Sequence, residues 1–271
     1  PNQILFCYLH LAAFPEQTRL LCESGVTAVG YETVTSSDGQ LPLLKPMSQI
    51  AGRLAVQNAV HFLQKHKGGR GVLMSGVGGV ERGKILIIGG GTAGENAAAI
   101  GLGLGAQVTI FDRSLVRLDY LADKFGANLN YVYPTNNAYD EHLSDADIVI
   151  GSVLIPGASA PKLVSREMIG NMKEGAVIAD IAIDQGGCIE TSRPTSHDDP
   201  TYIVDNVIHY CVANIPSAVP LTSTKALSNS ISPYVQILAE TANPTELVSK
   251  SHPLKSGVNV YNGDVCLENL Q

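Results

Sequence analysis

The chain has 271 residues, of which 45% are hydrophobic and 16% charged, and it carries a net charge of −7 at pH 7. A chain of this length can bury one large core or two smaller ones, and its acidic balance gives no support for a nucleic-acid or anionic-membrane partner. The five cysteines, Cys7, Cys22, Cys188, Cys211 and Cys266, include no C-x-x-C pair and read as reduced thiols of a cytoplasmic protein, not as a disulfide framework or a zinc site. No apolar run is long enough to span a bilayer, because Glu95 and Asn96 interrupt the glycine-rich region. The first residues, Pro-Asn-Gln-Ile-Leu-Phe, lack a methionine and enter a strand-like run at once, so the sequence is expected to be the later part of a longer protein.

Residues 3–12 are apolar but carry Tyr8 and His10 towards the end of a predicted buried strand. A short helix over 16–23 is expected to end at Gly25, followed by a strand over 26–34. The loop 35–46, with Ser-Ser-Asp-Gly and two prolines, marks the expected domain boundary. A long helix over 47–65 then shows a helical apolar period at Met47, Ile50, Leu54, Val60 and Leu63, with Gln57 falling on that face. Further on, a βα alternation predicts helices over 115–125, 138–143 and 161–172, and strands over 130–133, 147–153, 176–181 and 203–210. Such alternation argues a parallel, doubly wound α/β sheet. A last long helix is expected over 222–242.

The centre of this pattern is the stretch from Lys84 to Asp112. Lys84–Ile88 is an aliphatic, β-branched run of the kind buried on both faces of a sheet. It leads into Gly89-Gly90-Gly91-Thr92-Ala93-Gly94, which fits G-x-G-x-x-G, then an Ala-rich helix and a second strand that ends in Asp112. Strand, glycines, helix, strand and an acid about twenty residues on, in that order, form the dinucleotide-binding fingerprint. Gly89 permits the tight turn, Gly91 lets the backbone approach a pyrophosphate, and Gly94 lets helix and strand pack closely. The helix N-terminus offers free N–H groups to the phosphates. Asp112 can accept both ribose hydroxyls and would repel a 2′-phosphate, which favours NAD over NADP, while the adjacent Arg113 pulls the other way. The alternative is a glycine-rich turn without a ligand, and Thr92-x-x-Glu95 also fits a capping box that needs none.

Ligands of open parallel sheets bind at the carboxyl ends of the strands. Val153 and Leu154, the run Asp184-Gln185-Gly186-Gly187, and Val212-Ala213-Asn214 all follow strands. Asp184 reads equally well as a functional acid or as a turn aspartate bonded to its own backbone. His10 in isolation is ambiguous: a single histidine in an apolar strand is more often a satisfied core histidine than a functional one. The other histidines show no metal-ligand spacing, so no metal is expected, and Ser217 is not in a G-x-S-x-G elbow.

Six segments carry a resemblance: 6–12 (Phe-Cys-Tyr-Leu-His-Leu-Ala), 68–74 (Gly-Gly-Arg-Gly-Val-Leu-Met), the glycine motif 89–94, 160–164 (Ala-Pro-Lys-Leu-Val), 180–188 and 210–215. Together they resemble the bacterial L-alanine dehydrogenases. The related transhydrogenase subunit shares the glycine motif but not the 68–74 and 183–188 signatures as they stand here. The resemblance implies interconversion of L-alanine, NAD and water with pyruvate, ammonium and NADH. It implies that His10 hydrogen-bonds the substrate's reacting carbonyl and that Asp184 manages protons, with Tyr8 and Asn214 also at the substrate. By the same resemblance, cofactor contacts fall on Ser48, Gly89, Gly91, Thr92, Ala93, Gly94, Asp112, Arg117, Val153, Leu154, Ile181, Ala182, Ile183, Asp184, Arg193, Val212, Ala213, Asn214 and Ile215. It also implies a homo-oligomer, usually a hexamer.

In that family, an arginine and a lysine that hold the substrate lie upstream of the Tyr-Leu-His strand, before this sequence begins. The expected organisation is therefore an NAD-binding Rossmann domain over 43–220 and a partial substrate domain from 1–42 and 221–271. The competing expectations are a dehydrogenase of another small amino acid and a non-catalytic NAD(H)-binding module like the transhydrogenase's soluble domain.

Overall fold

The computed structural model describes residues 3–153, 155, 160–241, 243–249 and 252–267. In chain order the elements are β1 (Ile4–Cys7), α1 (Pro15–Ser24), β2 (Thr27–Gly30), α2 (Lys45–Phe62), β3 (Lys84–Ile88), α3 (Thr92–Gly103), β4 (Gln107–Phe111), α4 (Leu115–Phe125) and β5 (Leu129–Val132). They continue with α5 (Asn136–Asp145), β6 (Ile148–Gly151), α6 (Arg166–Gly170), β7 (Val177–Asp180), β8 (Thr201–Val204), β9 (Val207–Tyr210), α7 (Pro220–Glu240), β10 (Val258–Tyr261) and β11 (Asp264–Val265). The chain divides into two compact units: a larger one of Ser48–Leu154 and Ala160–Ala218, and a smaller one of Pro1–Met47, Ile155–Ser159 and Val219–Gln271.

The larger unit is built on a seven-stranded sheet in the order β5-β4-β3-β6-β7-β9-β8. All neighbouring pairs are parallel except β8 with β9, which is antiparallel at the edge. The α/β doubly wound expectation holds. Ile85, Leu86, Ile87 and Ile88 are all buried, as a central parallel strand covered on both faces requires. Small residues let α3 approach the sheet: a Cβ on Gly101 would lie 3.0 Å from Val108 Cγ2 and 3.1 Å from Ile85 Cδ1. Likewise α2 comes so close to α3 that a Cβ on Gly52 would lie 2.0 Å from the Ala93 carbonyl oxygen. The buried face of α2 is set by Ala51, Ala55, Val56 and Ala59, so Gln57 is exposed rather than on the apolar face.

Two elements of this unit differ from expectation. The single strand predicted over 203–210 is a hairpin, β8–β9, turned by Asp205 and Asn206 at φ 50° and 62°. Both residue types tolerate the positive φ of a primed turn. The helix predicted over 161–172 shortens to α6, because Val164 pairs with Ile189 and Ser165 caps the helix, its Oγ accepting the Met168 N–H at 3.2 Å.

The smaller unit holds a four-stranded sheet in the order β1-β2-β10-β11, with β1 and β2 parallel and the rest antiparallel. Gly25 ends α1 in the left-handed region, at φ 66°, where glycine carries no Cβ penalty. Its core gathers Val29, Tyr31, Val34, Leu43, Leu247, Leu254 and Val258, with Leu227, Ile231, Tyr234 and Leu238 of α7 packed against it. Those α7 positions recur every three to four residues, as one helix face requires. The strand predicted over 3–12 stops at Cys7, and His10 turns into the left-handed region at φ 50°. β10 and β11 are joined through Asn262-Gly263, at φ 51° and 85°, a primed turn that the sequence carries as an Asn-Gly signal. Among the described residues, no helix is long and apolar enough to cross a membrane, and no group of three or more His, Cys, Asp or Glu could hold a metal ion.

Candidate functional site

The strand order of the larger unit reverses between β3 and β6, the switch point at whose carboxyl edge doubly wound sheets bind ligands. β3 leaves the sheet through Gly89 at φ 101°, whose N–H donates to the Phe111 carbonyl at 2.9 Å. A Cβ on Gly94 would lie 1.9 Å from the Gly89 carbonyl oxygen, so only glycine allows α3 to start here. By contrast, a Cβ on Gly91, the N-cap of α3, would meet nothing within 4 Å. The cradle is therefore tight beneath and open above, which suits a pyrophosphate laid on the first-turn N–H groups of Thr92, Ala93 and Gly94. Ser152, after β6, closes the other side by donating Oγ to the Ile88 and Gly89 carbonyls at 3.0 and 2.8 Å, with Val153 next to Gly89. Ser48 lies in the first turn of α2. Leu154 lies outside the described residues.

Asp112 follows β4. Its Oδ2 accepts the Gly90 N–H and its Oδ1 the Ser114 N–H, both at 2.8 Å, which leaves further lone pairs on both oxygens for ribose hydroxyls. Arg117 meets the same glycine from α4, donating Nε to the Gly90 carbonyl at 2.5 Å. The capping box expected at Thr92-x-x-Glu95 does not form. The α3 cap is Gly91, without a side-chain bond, and the Glu95 carboxylate instead pairs with Arg117 and Lys124 of α4. Burial would raise the Glu95 carboxyl, but the bonds from Lys124 and Arg117 outweigh it and hold the group below the ordinary carboxylate value.

The second junction follows β7. Asp180, fully buried, closes an otherwise apolar strand and pins the turn Ile181–Gln185 that carries Ile181, Ala182, Ile183 and Asp184. Its Oδ1 accepts the Ala182 N–H at 3.1 Å and its Oδ2 the Ile189 N–H at 3.2 Å, with Cys188 Sγ at 3.6 Å from Oδ1. Burial pushes the Asp180 carboxyl up, against these bonds and one from Ser192, and burial with the Asp180 charge pushes the Cys188 thiol well up. Asp184 Oδ1 accepts the Asn214 N–H at 3.1 Å, and Asn214 holds a left-handed turn at φ 54° after Val212 and Ala213. Ile215 is buried beside them. Arg193 stacks its guanidinium 4.0 Å over the Tyr202 ring.

The structure thus brings together Gly89, Asp112 and Arg117 at one junction, and Asp184 and Asn214 at the other. In the smaller unit it brings together Tyr8 and His10. Glu32, buried, accepts the Leu9 and His10 N–H groups on Oε1 at 3.0 and 2.7 Å, which accounts for the left-handed turn at His10. The Tyr8 hydroxyl donates to the Leu43 carbonyl at 2.7 Å, and its ring lies 6.0 Å from the His10 ring, nearly parallel. Burial and the Glu32 charge push the Tyr8 hydroxyl up.

The model of the family "Alanine dehydrogenase/PNT, C-terminal domain" matches residues 55–268, and that of the corresponding N-terminal domain matches residues 1–51. The chain belongs to the alanine dehydrogenase/PNT family. It is 51% identical over 262 residues to "Alanine dehydrogenase" of Halomonas elongata, covering 97% of this chain and 70% of that protein. With the protein of the same name from Mycolicibacterium smegmatis the identity is 49% over 267 residues, covering 98% and 72%. A solved "L-alanine dehydrogenase" structure superposes with a TM-score of 0.90 at 47% identity, covering 100% of this chain and 74% of that one. A transhydrogenase from Sinorhizobium meliloti shares the fold, with a TM-score of 0.77 at 23% identity over 97% and 75% of the two chains.

Two carboxylates of this family member escaped sequence reasoning. Asp180 was legible as an acid ending an apolar strand, and Glu32 as an acid inside the apolar run 26–34, yet neither has a motif. Their roles depend on which backbone N–H groups the fold delivers to them.

Proposed function

We propose that this chain catalyses the NAD-dependent interconversion of L-alanine with pyruvate and ammonium. The observation that carries the reading is identity of about half to alanine dehydrogenases over nearly the whole chain, with the glycine junction of β3 and α3 intact. When bound, the nicotinamide dinucleotide supplies a hydride acceptor for the substrate's Cα. The N–H groups opening α3 hold its pyrophosphate, and Asp112 accepts its ribose hydroxyls, which selects NAD over NADP. Ser48, Arg117, Val153, Leu154, Ile181 to Ile183, Arg193 and Val212 to Ile215 complete the cofactor contacts. Asp184 takes and returns protons as the imine forms and is hydrated, and it is oriented for this by the Asn214 N–H. His10, held by Glu32 through its backbone, hydrogen-bonds the reacting carbonyl oxygen, with Tyr8 and Asn214 at the substrate.

The domain assignment proposed is an NAD-binding domain over 43–220 and a substrate domain from 1–42 and 221–271. The protein works in the cytoplasm as a homo-oligomer, a hexamer on this reading. The test is L-alanine-dependent reduction of NAD by the purified chain, run beside an NADH titration. Saturable turnover with L-alanine supports the reading. NADH binding without turnover would replace it with a non-catalytic NAD(H) module, and turnover only with another small amino acid would change the substrate.

A further inference from the structure

Glu95 stands in the first turn of α3 with its side chain only 15% exposed, and both its oxygens are engaged by cations of α4: Arg117 on Oε2 and Lys124 on Oε1. Arg117 also donates to the Gly90 carbonyl, and the Gly90 N–H goes to Asp112. Two carboxylates and two cations thus form one linked set around Gly90, at the end of β4 where the 2′ position of an adenosine ribose is read. Arginine is the usual partner of a 2′-phosphate there. Here the arginine on that glycine is already committed.

We propose that Glu95 is a specificity-determining residue, which withholds Arg117 from a 2′-phosphate so that NADP is refused by two acids rather than one. Asp112 repels the phosphate directly. Glu95 occupies the arginine that would otherwise attract it, and pulling it away would leave a largely buried carboxylate short of a partner. The inference rests on the glycine junction being a dinucleotide site. It differs from a plain structural role, in which Glu95 only ties α3 to α4, because a tie between helices would not change the ratio of two cofactors.

The experiment is a calorimetric titration of the purified chain with NADH and with NADPH, for wild type, Glu95→Gln and the double variant Glu95→Gln with Arg117→Ala. Glu95→Gln is expected to raise the affinity for NADPH relative to NADH about tenfold or more, the worth of one charge-assisted hydrogen bond. The double variant is expected to lose that gain. An unchanged ratio in Glu95→Gln, with NADH still bound, overturns the proposal, as does a gain that survives removal of Arg117. If Glu95→Gln does not fold, as judged by circular dichroism, Glu95→Ala removes the carboxylate without leaving a buried amide and is read the same way. Failure of wild type to bind NADH would instead remove the dinucleotide reading, and this proposal with it.

Discussion

The larger unit turns two parallel strands into ligand-edge loops by opposite means. After β3 the junction is made by leaving side chains out: Gly89, Gly91 and Gly94 clear the space and leave the main chain that opens α3 bare. After β7 it is made by putting one in: the buried Asp180 carboxylate gathers N–H groups from both limbs of its loop and presents the side chain of Asp184. A phosphate cradle has to be wide and donor-rich, which favours bare backbone. A proton-transfer group has to be held to a fraction of an ångström, which favours a side chain braced from behind. On the proposed function, the first junction would hold the pyrophosphate through backbone, and the second would add the proton-transfer side chain to its own cofactor contacts.

The largest effect that could break this division is expected at Asp184. Asp184→Asn keeps an oxygen to accept the Asn214 N–H but cannot take a proton, so turnover of L-alanine should fall by about a hundredfold to ten-thousandfold. NADH affinity, measured by fluorescence titration, should change less than about tenfold, under about 1.4 kcal/mol. A parallel loss of NADH binding would mean that Asp184 serves cofactor binding and not proton transfer.

Gly94→Ala tests the first junction by refilling it. The new methyl would lie 1.9 Å from a backbone oxygen, which neither a rotamer change nor a flexible neighbour can relieve. The expected cost is about 3 kcal/mol of stability, at the upper end for overpacking, read from the urea midpoint, with NADH binding lost in step. Stability equal to wild type would show that α3 can slide away from β3.

Asp180→Asn tests the brace. The Asn amide turns a donor towards one of the N–H groups that Asp180 accepts, and about 1–3 kcal/mol should be lost. The pH dependence has a definite sign. Burial raises the folded carboxyl of Asp180 above its unfolded value. Its contribution is therefore fully present below the unfolded pKa and is lost as pH rises through the raised folded pKa. Asparagine does not ionise, so the wild-type advantage should narrow as pH rises above the ordinary carboxylate range and through the raised folded pKa, read from denaturation curves. An advantage that widens with pH would show that the ionised carboxylate is the favoured form.

The same contrast explains what was legible. The glycine junction is written locally: strand, glycines, helix, strand and Asp112 lie in order within one stretch, the observed β3 and α4 match the predicted spans, and β4 stops at Phe111, one residue before Asp112. The brace is written non-locally. Asp180 bonds Ile189 across a loop, and Glu32 reaches back to Leu9 and His10 over more than twenty residues, so His10 looked like the end of a strand. Turn chemistry was present but weak: Asp205-Asn206 split one predicted strand, and Asn262-Gly263 marked a hairpin that apolar periodicity alone does not single out. The short α6 shows a cap outweighing an apolar pattern, since Ser165 fixes where the helix begins.

The smallest effect on the fold, and the sharpest test of the comparison, belongs to Gly91→Ala. Gly91 sits at φ −63°, ψ −168°, a conformation open to any residue, and its Cβ position is empty. Alanine there should cost under about 1 kcal/mol of stability, the ordinary difference between glycine and alanine at an N-cap. If the empty space is where a pyrophosphate approaches the backbone, NADH affinity should nonetheless fall about tenfold, as one charge-assisted hydrogen bond is lengthened. Gly94→Ala would then weaken the fold and the ligand's binding together, whereas Gly91→Ala would weaken binding alone. Should Gly91→Ala bind NADH as wild type does, the space above α3 is not the phosphate site, and the first junction is open for a reason other than binding.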